Sequence, residues 1–278
     1  MEVFGMDDMD KTATGGPVLP SPDDRHLISA LAEALRKDQL LIRYQPQIRL
    51  SDGTLAGFEA LARWYSPVLG EVEPDRFVPI AEEHGLIDEI GMWLLDKALS
   101  DLATIDSPTP VRVSVNVSVI QLRHSGFADR IARILAERGF PAHRLELEIT
   151  ESKCLQDEAA TCIRSLRELG VAIAMDDFGA GFSNLAALGK FDFDRLKLDR
   201  SLLGELSGTA KGEQIIEWAV AMGKALGLEV ISEGVETEQQ AEFLRRIGCD
   251  YAQGYLYAPP LTLQQAKEWA STTADHHN

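Results

Sequence analysis

Residues 145–177, LELEITESKCLQDEAATCIRSLRELGVAIAMDD, decide the fold. Two short apolar runs rich in β-branched residues, each ending in carboxylates, flank a segment whose apolar residues recur at helical spacing, and Gly170 stands where that helix would stop. Strand, helix and strand in that order form the unit of a parallel sheet. The pattern extends both ways. VRVSVNV (111–117) and the helical FADRIARILAERG (127–139) precede it. FDRLKLD (193–199), LEVISEG (228–234) and DYAQGY (250–255) follow, separated by the helical stretches 212–227 and 236–248. Nearer the start, LIRYQPQIRL (41–50) and TLAGFEALARW (54–64) read as a hairpin-like strand pair around the turn signal SDG, after a helical stretch over 26–40. Residues 77–99 read as one further helical stretch.

Eight candidate strands result, with helices after most of them. They predict an α/β fold, a TIM-like (β/α)8 barrel, and the opening pair leaves room for an irregular first strand. An open doubly wound sheet is the rival, but the phosphate-binding glycine fingerprint after its first strand is missing. The chain has 278 residues, of which 45% are hydrophobic, and a barrel of this kind takes about 250 residues. One domain over 25–272 is expected, preceded by a Pro/Gly-containing acidic stretch at 1–24 that reads as a disordered lead or linker. A polar tail, 273–278, follows.

No apolar stretch reaches the roughly 18 to 20 residues that cross a bilayer, and the acidic N-terminus lacks a signal-peptide core, so a cytoplasmic protein without membrane contact is expected. Cys154, Cys162 and Cys249 form no zinc-type pair and read as reduced thiols. The formal charge of −17 argues against nucleic-acid polymers, whose phosphates need Lys/Arg-rich faces. A small anion held through divalent cations remains compatible with it.

In a parallel barrel the C-terminal ends of the strands open onto one face, so the residues that end these runs converge there. They are Asn116, Glu148 with Glu151, Asp176, Asp177 and Glu233, and Glu59 lies inside the apolar strand FEALARW. Converging carboxylates repel unless a cation intervenes, and amide and carboxylate oxygens are the hard donors that Mg²⁺ and Mn²⁺ prefer. Bland alternatives stand beside each. Glu59 shares a strand face with Leu61 and Arg63 and could simply pair with Arg63; Asn116 could cap a helix; Asp176 and Asp177 could form an Asx turn before Gly179. Lys197 lies inside an apolar strand, where an amine is costly unless paired or used, and Asp199 shares its face as a structural partner. Glu236 could cap the helix that begins near Thr237, and Gln253 before Gly254 is a weak signal alone.

With these residues assembled, the chain closely resembles the EAL-domain family of cyclic-di-GMP phosphodiesterases. YQPQI, FEALARW, FVPIAEEHGLI, SVNVS, LELEITES, MDDFGAGFSN, LKLD, SEGVET and QGY occur in order between about Leu41 and Leu261, and the triplet Glu59-Ala60-Leu61 gives the family its name. The resemblance implies hydrolysis of cyclic-di-GMP to linear pGpG by two-metal activation of a water, with two Mg²⁺ or Mn²⁺ ions; Ca²⁺, which accepts longer bonds and more ligands, is expected to be a poor cofactor or an inhibitor at a compact six-coordinate site. It implies that Glu59, Asn116, Glu148 and Asp176 hold one ion and Asp176, Asp177 and Glu233 the other. Lys197 would orient the water, Gln45, Leu61 and Arg63 would contact substrate, Gln253 would support the site, and Glu151 and Glu236 would anchor loops. A homodimer is also implied. Ser232 stands where alanine is common and Asn184 where serine is common; neither removes a ligand. The alternative from another class is a catalytically silent cyclic-di-GMP receptor or interaction module. A barrel enzyme acting on another phosphodiester is a third reading.

Overall fold

A computed structural model describes residues 22–107, 109–150, 157–180, 185–206 and 209–272. The expectations for residues 1–21 and 273–278 lie outside these. Nine strands are present among them: β1 (Leu40–Arg49), β2 (Leu55–Ser66), β3 (Gly70–Val72), β4 (Arg112–Asn116), β5 (Leu145–Thr150), β6 (Ala172–Phe178), β7 (Arg195–Leu198), β8 (Glu229–Ser232) and β9 (Tyr251–Ala252). Eleven α-helices accompany them: α1 (Pro22–Ala34), α2 (Pro74–Glu83), α3 (Ile87–Leu102), α4 (Val119–Leu122), α5 (Phe127–Arg138), α6 (Asp157–Glu168), α7 (Leu185–Lys190), α8 (Arg200–Leu206), α9 (Ala210–Ala225), α10 (Glu238–Arg246) and α11 (Leu263–Thr272).

The sheet runs β1-β9-β8-β7-β6-β5-β4-β2, and β1 pairs again with β2, so eight strands close into a barrel while β3 extends β2 outside it. Every ring contact is parallel except those of β1, which lies antiparallel to both β2 and β9. The expected irregular first strand is therefore a reversed one. Its hairpin turns at Gly53, whose φ of +72° is easy only without a Cβ. The seam between β1 and β9 is short, with only Ile48↔Ala252 and Arg49↔Tyr251 in register, whereas β1 and β2 share nine pairs.

Two-residue alternation sorts each strand. Val113, Val115, Leu147, Ile149, Ile173, Met175, Leu196 and Val230 face outward and are buried under the helices. On α5 the matching surface is Phe127, Ile131 and Leu135, spaced four apart. Each such side chain removed from water is worth about 1.5–3 kcal/mol. A second core joins α1 and α2 to Trp64, which meets Phe77 edge to face at 6.0 Å. The inward faces are mostly polar instead, with Ala174 and Ile231 among the exceptions, which sets this barrel apart from the usual layers of branched apolar residues.

Residues 77–99 do not form one helix. Gly85, at φ +71°, separates α2 from α3 by permitting a left-handed turn, and α2 begins earlier, at Pro74. The three-residue β3 and the C-terminal α11 were not foreseen. The first is too short for periodicity to register; the second packs Ala266 and Ala270 together with the half-buried Trp269, whose ring meets Phe58 edge to face at 6.5 Å.

Candidate active site

Each barrel strand brings one polar side chain to the same mouth. Gln45 comes from β1, Glu59 from β2, Asn116 from β4, Glu148 from β5, Asp176 from β6 and Lys197 from β7, while Glu233 and Gln253 directly follow β8 and β9. Backbone pairing sets them level, with Gln45 opposite Glu59 and Asn116 opposite Glu148.

Lys197 is the hub. Its Nζ lies 2.7 Å from Glu233, 2.8 Å from Glu148, 2.9 Å from Asp176 and 3.6 Å from Glu59. Glu59 also accepts hydrogen bonds from Asn116 Nδ2 at 2.8 Å and Gln253 Nε2 at 2.6 Å, and Gln253 Nε2 reaches Gln45 Oε1 at 3.1 Å. One buried ammonium thus faces four carboxylates. Burial opposes the Lys197 charge, but the carboxylates outweigh it and raise its pKa well above normal. Burial likewise opposes a charged Glu59, yet Lys197 and the two amides bring its pKa down. The remaining acids are overcrowded: burial, with Glu59 beside it, pushes Glu148 well up, and burial, reinforced by Asp176, carries Glu233 to about 8.

Asp176 and Asp177 are chain neighbours, so in a regular strand they would face opposite sides. The β6–β7 register breaks between Met175 and Phe178, and Asp177 adopts φ +59°, a left-handed conformation that Asp tolerates better than most residues. Both acids then border one cavity of about 560 Å³, together with Asn116, Leu61 and Arg63. The turn thus falls on Asp177 itself, ahead of Gly179; Gly181 lies outside the described residues. Burial, followed by the neighbouring Asp176 charge, lifts Asp177 to about 6. A larger cavity of about 730 Å³ opens at the other end of the barrel, beside Arg112 and Glu229, so size alone does not mark the site.

Several pairings differ from the bland alternatives. Arg63 donates to the Ala62 carbonyl at 2.8 Å while Glu59 faces Lys197, and Asp199 accepts from the Ser201 N–H at the start of α8. Glu236 stands exposed before α10, where the Thr237 hydroxyl and the Gln240 amide form the cap; the Glu236 N–H donates to Gln240. Glu151 lies outside the described residues. Cys162 and Cys249 are free thiols.

Among the described residues, no three His, Cys, Asp or Glu side chains are set to hold a metal ion as they stand. They close on Lys197 instead. Glu148 Oε1 and Asp176 Oδ1 are nonetheless buried without a hydrogen-bond partner, the latter 2.9 Å from Nζ but poorly aligned with it. Spare carboxylate lone pairs in a site with more acids than cations fit a divalent ion.

One layer deeper, a second ionic cluster went unread in the sequence. Arg195, 2% exposed, reaches Glu146 at 3.1 Å and Gln47 at 3.3 Å through Nη1 and Glu229 at 2.9 Å through Nη2, and it lies over the Tyr251 ring at 4.5 Å. The signal was available: in LELE and RLKL a charged residue sits two positions before each site residue, on the same strand face. Burial opposes the Glu229 charge, but Arg195 and Arg112 outweigh it and hold its pKa at about 2. With the unfolded carboxyl near 4.5, this stabilisation is complete above about pH 4.5 and is lost as pH falls toward 2. Glu229→Gln is therefore expected to cost about 1–2 kcal/mol at pH 7, a value reduced for the partial exposure of this side chain. Urea titrations from pH 7 to 3 should show the gap to the parent closing below pH 4.5; a constant gap would refute the assignment.

Fold and mouth together define a closed barrel, parallel but for its first strand, with an acidic, cation-seeking cluster at the C-terminal ends of its parallel strands. The EAL domain family matches residues 28–260, and the chain belongs to that family. It is 39% identical over 249 residues to an uncharacterized signaling protein of Caulobacter vibrioides, covering 89% of this chain and 30% of that one. It is 40% identical over 243 residues to the cyclic di-GMP phosphodiesterase NbdA of Pseudomonas aeruginosa, covering 86% of this chain and 31% of that one. The chain thus spans about a third of the length of these curated relatives. Among solved structures, the MucR phosphodiesterase in complex with c-di-GMP superposes with a TM-score of 0.79 at 36% identity, over 87% of this chain and 99% of that one. The cAMP-bound EAL enzyme Bd1971 gives 0.83 at 30% identity, over 89% and 70%. Among the described residues no helix is long and apolar enough to cross a membrane.

Proposed function

We propose that this chain hydrolyses cyclic-di-GMP to linear pGpG at the carboxylate mouth of the barrel, acting as a cytoplasmic homodimer. The observation that carries this reading is the convergence of Glu59, Glu148, Asp176 and Glu233, from three strands and the segment directly after β8, on Lys197. The naming of NbdA and the c-di-GMP complex of MucR support the choice of substrate.

Two Mg²⁺ or Mn²⁺ ions would be held by Glu59, Asn116, Glu148 and Asp176 and by Asp176, Asp177 and Glu233. Bound there, they would supply Lewis-acid stabilisation of the phosphate charge and a more acidic water. The protein's own groups do the rest. Lys197, protonated at neutral pH, orients the attacking water through its N–H donors, and Gln253 holds the Glu59 carboxylate in place. Arg63, on the cavity wall, places a guanidinium for a phosphate, and Leu61 offers an apolar surface to the nucleotide. Gln45, tied to Gln253 and to the Ala258 carbonyl, completes the rim. In the reaction the water oxygen bonds to phosphorus as the bond to the 3′ oxygen breaks, and a proton ends on that 3′ oxygen.

The test is turnover of cyclic-di-GMP by purified protein with Mg²⁺, Mn²⁺, Ca²⁺ or EDTA, with pGpG followed by chromatography. Turnover with Mg²⁺ or Mn²⁺ is expected, abolished by EDTA and suppressed by Ca²⁺, which prefers longer bonds and more ligands. Hydrolysis indifferent to EDTA, or bound nucleotide without turnover, would overturn the proposal.

A further inference from the structure

Beneath the mouth lies a second ring of inward side chains. Gln47 sits under Gln45, Ser114 under Asn116, Glu146 under Glu148, Arg195 under Lys197 and Tyr251 under Gln253, each two residues away on its own strand. Arg195 connects this ring across the barrel. Its partner Glu146 is on β5, which is separated from β7 by β6, and its partner Gln47 is on β1, beyond β8 and β9. Backbone ladders fix only neighbouring strands, so these contacts set distances that the sheet alone does not. Gln47 continues the ring by donating to Ser114 Oγ at 3.1 Å, and the Tyr251 hydroxyl donates to Glu229 at 3.0 Å.

Stability does not account for an arginine here, because a buried ion pair is generally no better than apolar residues of the same volume, and barrels usually fill this layer with such residues. Geometry does account for it. The span from β5 to β7 that Arg195 and Glu146 bridge is the span that Glu148 and Lys197 must bridge one layer higher.

We infer that Arg195 is a positioning residue, a cross-barrel strut that sets the separation of Glu148, Lys197 and Gln45 and so shapes the carboxylate cluster for divalent cations. This rests on the phosphodiesterase reading only for its kinetic consequence. The experiment compares the parent, the double variant Arg195→Met with Glu146→Leu, which leaves neither charge buried alone, and Tyr251→Phe. Each is melted, titrated with Mn²⁺ by calorimetry in the absence of nucleotide, and assayed for kcat and KM with cyclic-di-GMP.

The double variant is expected to remain folded, to bind Mn²⁺ about 10- to 100-fold more weakly, and to lose a similar factor in kcat with KM unchanged. Tyr251→Phe should lose about threefold in Mn²⁺ affinity, the effect of one hydrogen bond. A folded double variant with parental Mn²⁺ affinity and kcat overturns the inference. If the double variant does not fold, parental affinity in Tyr251→Phe overturns it equally. A parent that binds Mn²⁺ without hydrolysing cyclic-di-GMP removes the functional proposal and leaves the affinities to decide this one. A parent that binds no Mn²⁺ overturns it.

Discussion

Lys197→Met is expected to lower kcat for cyclic-di-GMP about 10³-fold at saturating Mg²⁺, the scale of losing a positioned proton-handling and charge-stabilising group. The same change leaves Glu59, Glu148, Asp176 and Glu233 without the ammonium that now lies 2.7–3.6 Å from each. Removing one side of a buried ion cluster typically costs about 3–5 kcal/mol. Here the acids can take up protons, and added Mn²⁺ can replace the missing charge. The rise in melting temperature on adding Mn²⁺ should therefore be larger in the variant than in the parent. Calorimetric melts with and without Mn²⁺, run beside the kinetic assay, test both halves. A kcat within tenfold of the parent would remove Lys197 from the chemistry.

Gly254→Ala should be the most damaging single-methyl change in the barrel. A Cβ there would lie 2.1 Å from the Val235 carbonyl oxygen and 2.3 Å from the Val235 nitrogen. Both are backbone atoms engaged in hydrogen bonds, Val235 N with the Gln253 carbonyl and Val235 O with the Leu256 N–H, so neither can swing aside. Overpacking costs about 1–3 kcal/mol where side chains can adjust, and this site belongs at or beyond the upper end. A loss of about 3 kcal/mol corresponds to a melting temperature lower by about 6–12 °C. Because Gln253 precedes the glycine and holds Glu59, activity should fall before the protein unfolds. Gly204→Ala is the control: nothing lies within 4 Å of its Cβ on α8, and a small gain in stability is expected. Equal melting temperatures for Gly254→Ala and the parent would contradict the close approach.

Much of this was legible in the chain. The eight strand signals correspond to the eight barrel strands; seven are apolar runs long enough to show a pattern, and the two-residue β9 is marked instead by its place after the helical stretch that ends at Gly248. The polar residues ending those runs meet at one mouth because parallel strands share a C-terminal end. Three things were not legible, each for a physical reason. The reversal of β1 depends on which edge the hairpin joins, a long-range choice that periodicity does not encode. Lys197 was weighed against a single partner, Asp199, on its own strand, whereas in the barrel it faces acids on four other segments up to 138 residues away. The Arg195 layer is not legible because its partners Glu146 and Glu229 lie 49 and 34 residues away on other strands, and which strands face one another across the ring is a long-range outcome of barrel closure.

The reversed first strand has a consequence for the order of synthesis. The ring closes only when β9 reaches β1, and the Gln45–Gln253 hydrogen bond across that closure spans 208 residues. While the chain emerges from the ribosome, β1 waits with one edge unpaired until the residues some 208 positions later are made, and until then the mouth lacks its last amide. Nascent chains that stop short of Tyr251 therefore expose two sheet edges and carry no completed cluster, so they are open to aggregation and unable to act. Barrel closure and completion of the carboxylate cluster are thus the same late event.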